Sequence, residues 1–161
     1  MENQTIENLT KEEKSRIVTE ELFGLKVIHP QDYFANLKGG NADYWRQQAG
    51  EFTTNDPVVV KGNKPYKTHK LDSYPAPDFY GAQAYELLAR ARVALFARNL
   101  HVRFAEALAL RLAGDPLENL YWALVNASAE DQVEAIVEIL MQERQSAKKN
   151  KSKTKSGGKR K

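Results

Sequence analysis

Basic residues with an aromatic neighbour occur together in the middle of the chain, and this combination can bind phosphate groups and bases. The segment from Val58 to Leu71 contains no acidic residue. Its candidate anion-binding residues are Lys61, Lys64, Tyr66, Lys67 and Lys70, and His69 lies among them. Lysines attract phosphates as point charges, and an aromatic ring can stack on a base. An ordinary solvated hairpin has the same composition, because lysines keep an edge strand from pairing with other chains, and we favour this second interpretation.

A second basic group, rich in arginine, lies between residues 90 and 111. It comprises Arg90, Arg92, Arg98, His101, Arg103 and Arg111. The planar guanidinium group suits phosphates and carboxylates. The candidate ligands for an anionic small molecule, such as a nucleotide, are therefore Arg98, His101, Arg103 and Arg111. The alternative is that these arginines form ion pairs with carboxylates of the same chain, and we favour this alternative.

The residues that catalysis or metal binding would require do not form a recognisable motif. The three histidines, His29, His69 and His101, lie on three different predicted elements, and none has a second histidine three or four residues away. The chain has no cysteine, no G-x-S-x-G elbow and no P-loop. We expect a binding protein rather than an enzyme, without a metal or a cofactor, although a histidine and a carboxylate can still be brought together in space.

The end of the chain is strongly basic. Eight basic residues follow Ala147 without any acid, namely Lys148, Lys149, Lys151, Lys153, Lys155, Lys159, Arg160 and Lys161. Removing them from the 24 basic residues leaves 16 against 21 acidic residues, so residues 1–147 carry a net charge of about −5. Such a run of like charges buries too little apolar surface to order itself. We predict a disordered tail over residues 146–161 that binds nucleic acid or another polyanion, or that only keeps the protein in solution.

Length and composition predict one domain. Of the 161 residues, 42% are hydrophobic, which is enough for a single core. We place this domain at residues 1–145 and regard 30–56, with its glycines and asparagines, as a candidate loop insertion in which Tyr44 and Trp45 are anchors. No apolar run approaches the roughly 20 residues of a membrane span, and no secretory signal opens the chain. We therefore expect a cytoplasmic protein without a membrane partner.

The first half of the chain predicts a helix followed by short strands. Thr10 and Glu13 form a capping box, and Gly24 is suited to ending the helix in the left-handed conformation. A strand is expected over residues 25–28. Residues 57–61 and 66–71 are expected to pair as a hairpin around the turn at 62–65.

The segment between residues 74 and 113 is the most ambiguous. Residues 74–77 are expected to be extended because of their prolines, and Asp78 is expected to cap a helix that follows. Large apolar residues then alternate with small or polar ones from 100 to 112, which is typical of a strand with one buried face. Alanine and leucine favour a helix, and apolar residues also recur every four positions. We favour strands at 93–97 and 100–112, joined by a turn at Arg98 and Asn99.

The last third of the domain predicts two helices. Asp115 and Pro116 begin the first, and Ser128, answered by Asp131, caps the second. Leu117, Tyr121, Trp122 and the stripe from Val133 to Met141 offer more apolar surface than one small sheet covers, so an oligomer would bury the excess. The predicted fold class is α+β: a helix–sheet–helix sandwich with a small antiparallel sheet, two C-terminal helices and a disordered basic tail.

Three segments resemble small bacteriophage proteins with the phage ABA sandwich domain. The apolar–glycine step within residues 17–27 is similar to the family's first helix end, where tryptophan usually replaces Leu25. The stretch from Tyr74 to Ala91 resembles its proline-containing segment and alanine-rich helix, and residues 134–137 resemble its final helix. The resemblance implies a helix–sheet–helix sandwich and a phage or prophage origin.

Three functions are compatible with these features. The first is a non-enzymatic phage accessory protein that binds an anionic ligand, such as a nucleotide signal, through the arginines and the lysine-rich hairpin. The second is a nucleic-acid-associated protein that binds through the basic tail and the same hairpin. The third is a structural module that forms a homo-oligomer.

Overall fold

The computed structural model describes residues 5–49, 54–62, 64–67, 70–114 and 120–156. Seven α-helices and two small antiparallel sheets make up this part of the chain, which confirms the α+β class. The helices are α1 (Lys11–Ile17), α2 (Pro30–Ala35), α3 (Ala42–Ala49), α4 (Ala84–Ala97), α5 (His101–Ala113), α6 (Leu120–Asn126) and α7 (Ala129–Ser156). The strands are β1 (Lys26–Ile28), β2 (Val58–Val60), β3 (Tyr66–Lys67), β4 (Lys70–Leu71) and β5 (Ser73–Pro75).

The first helix begins and ends as the sequence predicts. The Thr10 hydroxyl accepts from the Glu13 amide at 3.2 Å, and the Glu13 carboxylate accepts from the Thr10 amide at 2.8 Å, so the capping box is complete. One turn of π-helix, Val18–Leu22, continues α1. Gly24 then adopts a φ of +67°, which a side chain would strain. The capping box and the glycine at the helix end involve only residues close together in the chain, so the sequence pattern is enough to predict them.

The three-stranded sheet has the order β1-β2-β5 with both pairs antiparallel. Val59 lies at its centre, opposite Val27 on one side and Tyr74 on the other. The predicted hairpin between residues 57–61 and 66–71 is therefore wrong, because β2 pairs with β5 and not with residues 66–71. The connecting segment folds on itself instead, since Tyr66 and Leu71 are opposite each other in the β3–β4 pair and pack beside a second apolar cluster.

Residues 30–49 form two helices where the sequence predicts an irregular insertion. Pro30 occupies the first position of α2, where its missing amide costs nothing. Phe34 and Ala49 are buried with Trp45, whose ring stacks on Phe34 at a centroid distance of 5.1 Å. These residues are therefore helical and not a loop, because aromatic burial gives them a small core of their own, in which Trp45 is the predicted anchor. That 30–56 is an insertion stays a prediction. Residues 50–53 lie outside the described part.

The predicted strands at 93–97 and 100–112 are helices α4 and α5. Phe104 and Leu108, spaced by four, are buried, whereas Val102 and Leu110 are about half exposed. The buried residues are therefore those spaced by four, as on one face of a helix, and not every second residue, as on one face of a strand. The turn at residues 98–99 is confirmed but joins two helices, with Asn99 at a φ of +57°.

Asp78 does not cap α4. Its carboxylate accepts from the Tyr80 amide at 2.9 Å and closes a tight turn, and α4 begins six residues later at Ala84. The prediction fails because an aspartate caps an isolated turn by the same bond that caps a helix. Of the prolines predicted to be extended, Pro75 lies in a strand and ends β5.

Helix α7 is the centre of the main core. Val133, Ile136, Val137 and Leu140 are all at most 2% exposed, packed among residues of α1, α4 and α5. The apolar stripe of α7 is thus covered within one chain and does not require an oligomer. The Ser128–Asp131 capping box at its start is confirmed, with the Asp131 amide donating to the Ser128 hydroxyl at 3.0 Å. Residues 115–119, including the predicted cap Asp115, and the Tyr121 side chain lie outside the described part.

The end of α7 differs from the disordered tail predicted for 146–161. The helix continues to Ser156, past its last buried residue, Leu140, and the exposed residues 144–147. A helix that the core has already nucleated adds one hydrogen bond for each further residue. Lysine is a good helix former and interacts favourably with the negative end of the helix dipole. The last five residues, 157–161, lie outside the described part.

Candidate functional site

The candidate arginines of the second basic group form ion pairs with acidic residues. Arg103 contacts Glu143 at 2.9 Å and donates to the Gln142 amide oxygen at 3.0 Å. Arg98 lies 3.6 Å from Glu143 and donates to the Glu21 carbonyl at 2.7 Å. These contacts join α5 and the end of α4 to α7. The favoured alternative, in which the arginines pair within the chain, is confirmed for both residues.

The remaining candidates of this group lie apart from one another. Arg111 binds Glu134 and lies 3.9 Å from Glu138. His101 is exposed at the start of α5, and its ring lies 4.6 Å from that of Phe96. The strand that would have placed His101, Arg103 and Arg111 on one face does not form. On a helix of 3.6 residues per turn, His101 and Arg103 face in nearly opposite directions, and Arg111 lies about two turns further along the helix.

The lysine-rich group does not present a free aromatic ring. Tyr66 packs on Trp45 at a centroid distance of 4.3 Å and on Phe34 at 5.8 Å, so its ring belongs to the second apolar cluster. The Lys61 ammonium lies over the ring of Tyr74 at 5.8 Å, while Lys64 and Lys70 are exposed. The Lys67 side chain and His69 lie outside the described part. The sequence does not predict the partial burial of Tyr66 because its partners Phe34 and Trp45 are distant in the chain.

A buried polar cluster joins α1, α5 and α7. The Lys14 side chain is 8% exposed and donates to Glu134, which also accepts from Arg111. The Tyr80 hydroxyl is buried and has no hydrogen-bond partner among the described residues. Burial raises the pKa of Tyr80, and the nearby charges of Glu134 and Glu130 raise it further. Since Lys14 and Glu134 are 120 residues apart, no local pattern could have predicted this cluster.

A cleft of about 500 Å³ that could hold a ligand lies between α1 and one end of the three-stranded sheet. Its walls are mainly apolar and include the side chains of Val27, Pro57, Pro75, Ala76 and Pro77. Its polar lining residues are Lys11, Glu12, Ser15, Arg16, Thr19, Asp56, Asp78 and Tyr80. A cleft of this size and character is typical of small-molecule sites. None of the residues selected from the sequence as anion ligands lines it.

The cations of the cleft are engaged, whereas two of its carboxylates are not. Lys11 lies 3.6 Å from Glu130 and over the ring of Tyr80 at 5.0 Å. Arg16 contacts Glu20 at 3.2 Å. In the described part of the chain, no cation lies within 4.0 Å of the carboxylates of Asp56 or Asp78. The cleft therefore carries an excess of negative charge.

A histidine contacts Glu12, one of the residues that line the cleft. His29 Nε2 lies 2.9 Å from the Glu12 carboxylate, and Nδ1 lies 2.9 Å from the carbonyl oxygen of Asn55. Both partners accept hydrogen bonds when Glu12 is ionised, so both bonds form together only when the ring carries two protons. This is a histidine and a carboxylate assembled in space, and the contacts hold α1 against the segment that leads into β2.

The described residues contain no group of three histidine, aspartate or glutamate side chains placed to hold a metal ion. Over the same part of the chain, no helix combines the length and the apolar character that crossing a membrane requires. No protein-family model, curated protein or solved structure matches the chain. The resemblance to the phage ABA sandwich family therefore stays a prediction.

Proposed function

We propose that the protein is a non-enzymatic, nucleic-acid-associated protein that binds through its basic C-terminal segment. The observation that carries this proposal is the course of α7, which continues beyond the core to Ser156. Residues 145–147 are exposed, and every charged residue that follows is basic. The basic sequence therefore begins on this helix, beyond the part of α7 that packs in the core, while residues 1–147 carry a net charge of about −5.

Charge segregation of this kind favours a polyanion. Each phosphate that a lysine or arginine neutralises releases condensed counterions, which gives affinity without sequence preference. The acidic body opposes close approach of a nucleic acid, so binding is confined to the basic segment. The arginines of the body add little, because Arg103 and Arg111 already neutralise carboxylates of their own chain.

An anionic small ligand has less support than a polyanion. Its candidate residues do not converge on one cavity, because Arg103 and Lys61 line separate pockets. The cleft between α1 and the sheet carries the unpaired carboxylates Asp56 and Asp78. The phage or prophage origin rests on the resemblance alone, and a cytoplasmic location belongs to the same proposal.

Salt-dependent binding of a DNA duplex and of single-stranded RNA tests the proposal. We expect a chain that ends at Gln145 to lose binding, measured by fluorescence anisotropy. A full-length variant in which Lys148, Lys149, Lys151, Lys153 and Lys155 are replaced by glutamine should reduce the slope of log K against log salt by about 4. The matched variant with arginine at these five positions keeps the charge and should bind duplex DNA as well as the native chain. Equal binding by the truncated chain would refute the proposal.

A homo-oligomer is the second candidate function, and an exposed apolar face of α4 favours it. Tyr85, Val93 and Phe96 are between 66% and 72% exposed, and their spacing places them on one side of the helix. This face differs from the one expected from the sequence, because Val133 and its neighbours on α7 are buried within the chain. A symmetric dimer would cover it with the same face of a second copy.

A further inference from the structure

The cleft between α1 and the sheet is independent of the basic segment and has a chemistry of its own. Pro57, Pro75 and Pro77 supply rigid apolar surface, and Tyr80 supplies an aromatic ring. The amide of Ala76 donates to the carbonyl of Pro57 at 3.0 Å, so the two chain segments run side by side at this end of the β2–β5 pair. Asp56 and Asp78 flank these segments and therefore belong to the same end of the cleft.

Ion pairs and hydrogen bonds occupy some of the charged groups around the cleft and leave others without a charged partner. Glu12 is held by His29, Lys11 by Glu130, and Arg16 by Glu20. One oxygen of Asp78 accepts from the Tyr80 amide at 2.9 Å, and the other lies against Gly81 in the same turn. The residue nevertheless remains exposed to solvent. Asp56 precedes β2 and has no cationic partner in the described chain. Two negative groups thus stand beside an apolar wall without compensation.

We propose that this cleft binds an organic cation whose ammonium or guanidinium group is carried on an apolar body. The cation pairs with the carboxylates of Asp56 and Asp78, and the apolar body packs on the proline walls. An anion is disfavoured there because it would meet two uncompensated carboxylates, and a purely apolar ligand would leave them unpaired and partly desolvated. A free amine and the basic side chain of a peptide share this chemistry.

Amide-detected NMR of the full chain tests the proposal with three probes: agmatine, acetyl-Pro-Arg-Pro-amide and the anionic acetyl-Pro-Glu-Pro-amide. We expect the two cationic probes to shift the amides of Val27, Ala76 and Tyr80 at millimolar concentration, and the anionic peptide to shift none of them. Binding of both cations with similar affinity identifies a free amine as sufficient. If the arginine peptide binds much more tightly than agmatine, the ligand is the basic side chain of a peptide. Either result supports the proposed site.

Charge-neutralising variants show whether a cationic probe binds at the cleft carboxylates or is attracted by the net negative charge of the body. Asp56→Asn and Asp78→Asn should each weaken the binding of agmatine by about five- to tenfold. Glu86→Gln removes the same charge from the exposed face of α4 and should change nothing. Asp56→Glu and Asp78→Glu keep the charge and should retain most of the affinity, which distinguishes lost pairing from lost folding. Equal weakening in all the neutralised variants, stronger binding of the anionic peptide, or no shift at the cleft amides would overturn the proposal.

Discussion

The hydroxyl of Tyr80 is buried without a hydrogen-bond partner among the described residues. A buried polar group in this state costs about 1–3 kcal/mol relative to a hydrated one. Tyr80→Phe removes the hydroxyl and keeps the ring on which the Lys11 ammonium rests. We therefore expect the variant to raise the free energy of unfolding by about 1 kcal/mol at neutral pH, measured by urea denaturation.

The same substitution changes the response to alkaline pH. Burial raises the pKa of Tyr80, so the unfolded chain loses this proton at about pH 10 while the folded chain still holds it. The native protein accordingly loses stability as the pH rises above about 10, by up to about 1.4 kcal/mol per unit for this group. Tyr80→Phe should flatten that decline, although Tyr33, whose pKa burial also raises, contributes to it. Tyr85→Phe, on the exposed face of α4, is the control, and an identical decline in both variants would contradict the assignment.

At the scale of elements, the connection between α4 and α5 distinguishes a pair of helices from a pair of strands at residues 93–113. Asn99 ends the turn with a φ of +57°, a conformation that asparagine and glycine adopt readily and β-branched residues do not. Asn99→Val should therefore cost about 1–2 kcal/mol of stability in thermal or urea unfolding. Asn99→Gly should leave the stability within about 0.5 kcal/mol of the native chain. A valine variant as stable as the glycine variant would mean that the helices are not joined in this conformation.

The elements that the sequence predicts correctly are those that depend on near neighbours. The two capping boxes, at Thr10 and at Ser128, need only residues three positions apart, and both are present. The strand order depends on which distant segment pairs with β2, and a hairpin pattern at residues 57–71 contains no information about β5. The alternating pattern at 100–112 wrongly favours a strand. In this alanine-rich sequence the large apolar residues are spaced both by two, as in a strand, and by four, as in a helix. The sequence does not predict the cleft for the same reason, since its lining residues lie within 11–19, 56–57 and 75–80, with Val27 between the first two segments.

The whole molecule combines an acidic body, a basic C-terminal segment and an exposed apolar face on α4. The body neutralises most of its cations internally, as the pairs of Lys14 and Arg111 with Glu134 show. The basic segment has no acidic residue in its own sequence to do the same. Repulsion between basic segments would oppose any dimer that brought them together, so a stable dimer must place them apart. The α4 face satisfies this condition if two copies pack antiparallel, with the two α7 helices on opposite sides.

Sedimentation velocity therefore provides the test of the dimer at this scale. We expect the native chain to sediment as a dimer at high micromolar concentration and physiological salt, because the exposed faces of α4 bury one another. Phe96→Glu places a charge on that face, near the end of α4, and should give a monomer, while the core around Leu95 stays intact. Trp122→Glu changes a half-exposed residue of α6 in the same way and should leave the dimer unchanged. A native chain that sediments as a monomer at every concentration would exclude the dimer, and equal disruption by both variants would move the interface away from α4.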